Sequence, residues 1–123
     1  MSYNGERYVF AAPLIQQVIR DEWLTRGQRQ RLRARAVEIL ASRPDVGSEV
    51  LRAELLMRIH KPAEALRTAI AAAGRSGELV QPSLMRRALR AAEQAADEDD
   101  MAARARIAAL QTRLDALVAS LAR

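Results

Sequence analysis

Residues 51–73 read LRAELLMRIHKPAEALRTAIAAA, and the fold turns on how this stretch divides. Ala53, Leu56 and Met57 fall on one face of a first helix. Leu66, Ala69, Ile70 and Ala73 fall on one face of a second. Both sets follow the i, i+3, i+4, i+7 spacing of an amphipathic helix. Pro62 is tolerated in a helix's first turn, where its missing N–H would have had no partner. The chain therefore breaks near His60-Lys61 and restarts. A break this short sends the second helix back antiparallel to the first. Small residues at Ala53, Ala65, Ala69 and Ala72 let the two backbones approach closely. The product is a helical hairpin built to stack on other hairpins. It implies a shape and a way of binding, but no reaction.

The composition agrees. At 123 residues the chain is one domain's worth, enough for a single core. Half the residues are hydrophobic, many of them Ala, and only four are aromatic. That suits helices packed through Ala, since a sheet would draw on more β-branched and aromatic residues. The formal charge is +5, carried by 19 Arg and one Lys. Arg favours bidentate contacts to phosphate or carboxylate; a coding bias toward GC-rich codons gives the same count. With no cysteine there is no disulfide, thiol nucleophile or zinc–thiolate site. No apolar run approaches the ~20 residues of a membrane span. The start, MSYNGERYVF, lacks the basic-then-apolar order of a signal peptide. A soluble cytoplasmic protein is expected.

Working outward from the hairpin, residues 1–12 read as an extended arm. It has a turn at Asn4-Gly5 and a short strand at Arg7-Tyr8-Val9-Phe10. A basic helix pair over 13–43 follows. Its first helix, 13–25, is opened by Pro13, and Gly27 ends it or separates it from the next. Its second, 28–42, has Leu32, Ala36, Ile39 and Leu40 as its buried stripe. The hairpin occupies 46–74, and Gly74-Arg75-Ser76-Gly77 reads as its glycine stop. A C-terminal helix pair covers 80–122. Leu84, Met85, Ala88, Leu89 and Ala92 form the apolar face of its first helix. The acidic run Asp97-Glu98-Asp99-Asp100 is a loop or a helix start, where the helix dipole favours anions. In the last helix Ile107, Leu110, Leu114, Leu117, Val118 and Leu121 resemble a heptad seam, a possible contact between copies. Net charge by segment is +4 over 1–43, +1 over 44–77, −3 over 78–100 and +3 over 101–123.

The hairpin resembles a tetratricopeptide repeat. With Ala65 as the second-helix alanine of that repeat, Ala53, Leu56 and Ala72 stand where it has small, large and small residues. Three positions depart: Arg52 replaces a large apolar residue, His60 a turn glycine, and Ala69 an aromatic. The wider order, from Arg7 to Gly74, is similar to the middle of large bacterial signalling ATPases of the STAND class, including LuxR-type and kinase- or cyclase-fused regulators. The likeness rests on Phe10 ending a strand and Pro13-Leu14 opening a helix. It rests further on Arg29-Gln30-Arg31-Leu32 through Ala36, and on Ala53, Leu56 and Ala65. Ala12 and Arg33 stand where that family often has His. The resemblance implies a piece of a larger protein: the tail of a winged-helix-like domain, then the start of a helical-repeat sensor arm. No nucleotide-binding segment is expected here, since no G-x-x-x-x-G-K-[ST] occurs and the one Lys is Lys61.

Catalytic and metal chemistry find little to work with. His60 is the only histidine and sits in a hairpin turn, where a solvated polar residue is ordinary. The acidic run lacks the spacing and glycine of a calcium loop. Glu54 and Glu64 sit on different helices with nothing marking them as an acid/base pair. No catalytic residue, cofactor or metal is expected. Arg29, Arg31, Arg33 and Arg35 form a basic contact surface that could meet phosphates, yet their alternate spacing spreads them around more than half the helix. In tetratricopeptide arrays the first helices line the concave face. That rule turns Val50, Glu54, Met57 and Arg58 toward a partner, or else Val50 and Met57 fill core.

The expected fold is all-α: antiparallel hairpins in a tetratricopeptide-like right-handed repeat, with a short extended N-terminal arm. The expected function is a non-catalytic protein-interaction or sensor module of a bacterial signalling or transcription-regulating protein. The alternatives are a basic helical DNA-binding regulator and a small repeat-type chaperone of a secreted subunit. No membrane association is expected.

Overall fold

Each helix starts on a residue suited to its place. The computed structural model describes residues 25–123, so the expected arm at 1–12 and all of the 13–25 helix except Thr25 lie outside the described residues. Helix α1 (Arg26–Ala41) opens on a capping box: Thr25 Oγ1 accepts from the Gln28 N–H at 3.2 Å, and Gln28 Oε1 accepts from the Thr25 N–H at 3.0 Å. Gly27 therefore lies inside its first turn and separates nothing. Helix α2 (Val46–Arg58) is capped by Asp45, which accepts from the Ser48 N–H at 2.9 Å. Helices α3 (Pro62–Glu78) and α4 (Pro82–Ala95) both carry Pro in the first turn. Helix α5 (Met101–Leu121) starts on Asp100, which accepts from the Ala103 N–H at 3.1 Å, so the last residue of the acidic run is a helix cap.

The two three-residue turns, Ile59–Lys61 and Leu79–Gln81, have the same geometry. His60 and Val80 take left-handed backbone, φ 62° and 56°. The Lys61 N–H reaches back to Leu56 O and the Gln81 N–H to Ser76 O, both at 2.9 Å. The His60 N–H bonds Met57 O and the Val80 N–H bonds Gly77 O, both at 3.2 Å. This is the six-to-one, five-to-two pairing that closes a helix on a left-handed residue, usually glycine. His60 is the position where the repeat resemblance expects that glycine.

The glycine stop at 74–77 is a correction. Helix α3 runs through Gly74 and Gly77 to Glu78, and the reversal falls on Val80. A Cβ on Gly74 would meet nothing within 4 Å, so that glycine is needed neither for conformation nor for space. At Gly77 a Cβ would come 3.3 Å from both Met85 Cε and Sδ, so this glycine lets α4 close on α3.

Among the described residues the fold is all-α, with helix pairs packed as a helical repeat. Helix α3 lies against α2 and α4, α2 also meets α4, and α5 lies on α4 and α3. The core is repeated as well. Val50 and Ala53 of α2 recur 35 residues on as Met85 and Ala88 of α4, all fully buried. Ala65, Ala69, Ala72 and Ser76 of α3 recur 38 residues on as Ala103, Ile107, Leu110 and Leu114 of α5. All four aromatic residues precede Thr25, so this core is aliphatic and alanine-lined. Ser76 is buried without loss, its hydroxyl donating to Ala72 O at 2.7 Å. Among the described helices α1 packs on α2 alone, through Leu32, Ala36, Val37 and Leu40 against Leu51 and Leu55. Arg75 of α3 holds the other side of α2, pairing with Glu49 and donating to Pro44 O at 2.9 Å.

Candidate functional site

Side-by-side packing of α2 and α4 leaves a recess of about 180 Å³ between them. From α2 it is lined by Glu54, Met57 and Arg58, three of the four residues expected to face a partner. From α4 come Arg87, Arg90, Ala91 and Gln94. Helix α2 places its three on one flank because they keep helical spacing beside the buried Ala53 and Leu56. Helix α4 does the same with Arg87, Arg90, Ala91 and Gln94, at i, i+3, i+4 and i+7. An ion pair crosses the recess, Arg87 Nη2 to Glu54 Oε1 at 2.5 Å. Met57 is half-buried and Ala91 buried, so the floor is apolar, while Arg58 and Arg90 are exposed.

Val50 is the fourth expected groove residue, and the structure corrects it: its exposure is 0% and it belongs to the central core. The reason is that α2 is covered on several sides. Val46, Val50 and Ala53 join the central core, and Leu55 packs under α1. A single-stripe reading misses that use of both faces.

The Arg-rich helix does not gather its charge. Arg31 and Arg35 are exposed on α1, whereas Arg29 and Arg33 are half-buried with their Nε atoms screened from water. Gln30 turns away from any groove-reading role, its amide donating to Arg58 O at 3.2 Å and so capping the end of α2. His60 sits in its turn, and Glu54 and Glu64 lie on different helices. Asp45 has a carboxyl held below the usual value. Burial pushes it up, but the Ser48 hydroxyl and N–H and the charge of Arg43 outweigh that. It is a helix cap. Among the described residues no three His, Asp or Glu side chains gather as a metal site, and no helix is long and apolar enough to cross a membrane. The heptad seam of α5 is largely spent inside the molecule: Ile107, Leu110 and Leu114 are buried, Leu117 packs against the core, and Val118 and Leu121 are exposed.

Arg87, Arg90, Ala91 and Gln94 were not expected at the site. The signal was present in their helical spacing, but the net −3 of residues 78–100 conceals two cations on one flank. No family model, curated protein or solved structure matches this chain.

Proposed function

We propose that this protein is a non-catalytic protein-interaction or sensor module that holds a partner peptide or helix in the recess between α2 and α4. The carrying observation is that the first helices of two successive hairpins lie side by side and enclose an apolar floor of Met57 and Ala91 under charged rims. Half-buried Met adapts its shape to different occupants. Hairpins joined by three-residue turns and alanine contacts move as packed units, so a partner that spreads α2 from α4 also shifts α3. The likeness to the helical-repeat arm of STAND-class signalling ATPases supports a bacterial signalling or transcription-regulating setting. In that setting a nucleotide-binding domain would be encoded upstream in the same frame.

Calorimetry of the full chain against a panel of peptides of mixed composition tests the groove. Binding that disappears in Met57→Asp, with the helical signal and melting temperature retained, supports it. Turnover of a small molecule with no peptide bound would end it. The duplex-binding reading rests on exposed Arg31 and Arg35, one turn apart on α1. It calls for a steep salt slope that shrinks on Arg31→Ala and Arg35→Ala.

A further inference from the structure

The recess is more cationic than its segment charges imply. Three arginines line it, Arg58, Arg87 and Arg90, against one carboxylate, Glu54. Glu54 is spent on Arg87. Arg58 and Arg90 are exposed, and neither joins an ion pair among the described residues. Two uncompensated guanidinium groups, one from each wall, therefore flank the apolar floor of Met57 and Ala91. Resting on the groove reading above, we propose that the occupant is an acidic segment of a partner protein. Its carboxylates pair with Arg58 and Arg90, and an apolar side chain between them lies on Met57 and Ala91.

The chemistry selects this occupant. A guanidinium fork matches a carboxylate with two parallel N–H···O bonds. The ion pair of Arg87 with Glu54 is the internal precedent at the same site: a carboxylate already occupies one of the three forks. A basic segment would meet a net repulsion, and a neutral one would leave both forks idle. Nucleic acid also carries anions, but single strands gain affinity by stacking bases on aromatic rings, and no aromatic residue occurs after Trp23. Two free cations and an apolar floor also fit an acidic peptide with a hydrophobic side chain better than a run of phosphates.

The acidic corner of a second copy is the weaker occupant. At Asp97–Asp100 the Asp100 carboxylate is already committed to the α5 N-terminus, and Arg104 ties the corner down by donating to Asp97 O at 3.1 Å. Its one large apolar side chain, Met101, is 73% exposed beside Asp100, so self-association through this corner is an outcome that the anisotropy test separates.

Fluorescence anisotropy of the full chain provides the test, with fluorescein-labelled peptides of repeated Leu-Glu-Glu, Leu-Gln-Gln and Leu-Lys-Lys. The Glu peptide is expected to bind roughly two- to thirtyfold tighter than the Gln peptide at low salt, the sum of two surface ion pairs. The advantage fades as salt rises. Arg58→Glu with Arg90→Glu removes it, and Arg58→Gln with Arg90→Gln reduces it in a variant that adds no charge at the end of α2. Arg67→Glu with Arg106→Glu, on the opposite α3–α5 side, leaves it unchanged.

Equal binding of Glu and Gln peptides, both lost in Met57→Asp, overturns the acidic assignment and leaves the groove standing. Binding of no peptide, or binding indifferent to Met57→Asp, overturns both. Two further results also overturn it: preferential capture of a single-stranded oligonucleotide, or concentration-dependent self-association that Arg58→Glu with Arg90→Glu abolishes.

Discussion

Replacing Gly74 by alanine separates two accounts of how α3 ends. If Gly74 were a left-handed helix stop, a Cβ there would be strained by about 1–2 kcal/mol. Partly offset by alanine's smaller entropy loss, that change would cost about 0.5–1 kcal/mol net. In the structure Gly74 is helical and a Cβ meets nothing within 4 Å, so no steric term opposes the change. Alanine in an open helix interior exceeds glycine by about 0.8–1.0 kcal/mol. The two accounts therefore differ in sign and by about 1.3–2 kcal/mol in size, above the error of a paired comparison. Urea unfolding followed by circular dichroism should show a higher midpoint at unchanged slope. Thermal unfolding should show a rise of about 3–6 °C for a chain of this length. A lower midpoint for Gly74→Ala would refute a helix running through this residue and return the stop to 74–77.

Val80 gives the mirror case: its glycine variant should be more stable than its alanine variant by about 0.5–1 kcal/mol, the reverse of the helix-interior order, as read by the same urea titrations. Asp45→Ala should destabilise by about 1 kcal/mol near neutral pH through loss of the α2 cap. Because the Asp45 carboxyl lies below its ordinary 3.8 in the folded state, its contribution is full above that value and fades as pH falls through the lowered one. The gap between parent and variant should therefore close in acid; a gap that widens below pH ~4 contradicts the assignment. Ala69→Leu should cost about 1–3 kcal/mol by overpacking, since Ala69 is fully buried, and chemical denaturation showing no loss would mean α2, α3 and α4 are not closely packed there.

The hairpin was legible because its signals are local. Pro62 fixes a first turn, and Ala53, Ala65 and Ala72 mark close backbone approach whatever packs on them. The end of α3 was not legible, because glycine serves helices in two ways. It can reverse the chain, or it can make room, and only the partner at Met85 shows that Gly77 makes room. A signal for the true turn did exist. Ile59-His60-Lys61-Pro62 and Leu79-Val80-Gln81-Pro82 share an apolar residue, a reversal, a polar residue and Pro, 20 positions apart. The groove was half legible for a similar reason. Glu54, Met57 and Arg58 flank one stripe of α2, but whether Val50 faces a partner or the core depends on how many neighbours α2 has.

The repeat register explains why a groove of this kind must grip by charge. On α3 the surface that receives α4 includes Ala73 and Gly77, small enough for Met85 to nest. The same register places Gln111 and Asp115 on α5, 38 residues on, where the Gln111 amide donates to Asp115 Oδ1 at 3.1 Å. A helix nesting there as α4 nests on α3 would bury an ionised carboxylate, a cost that apolar contact between two alanine-lined rods does not repay. The described groove has two walls, α2 and α4. A two-walled recess of about 180 Å³ buries little apolar surface. Area alone supplies little affinity in so small a site, and the two exposed guanidinium groups at its rims, Arg58 and Arg90, are the remaining source of both affinity and selectivity.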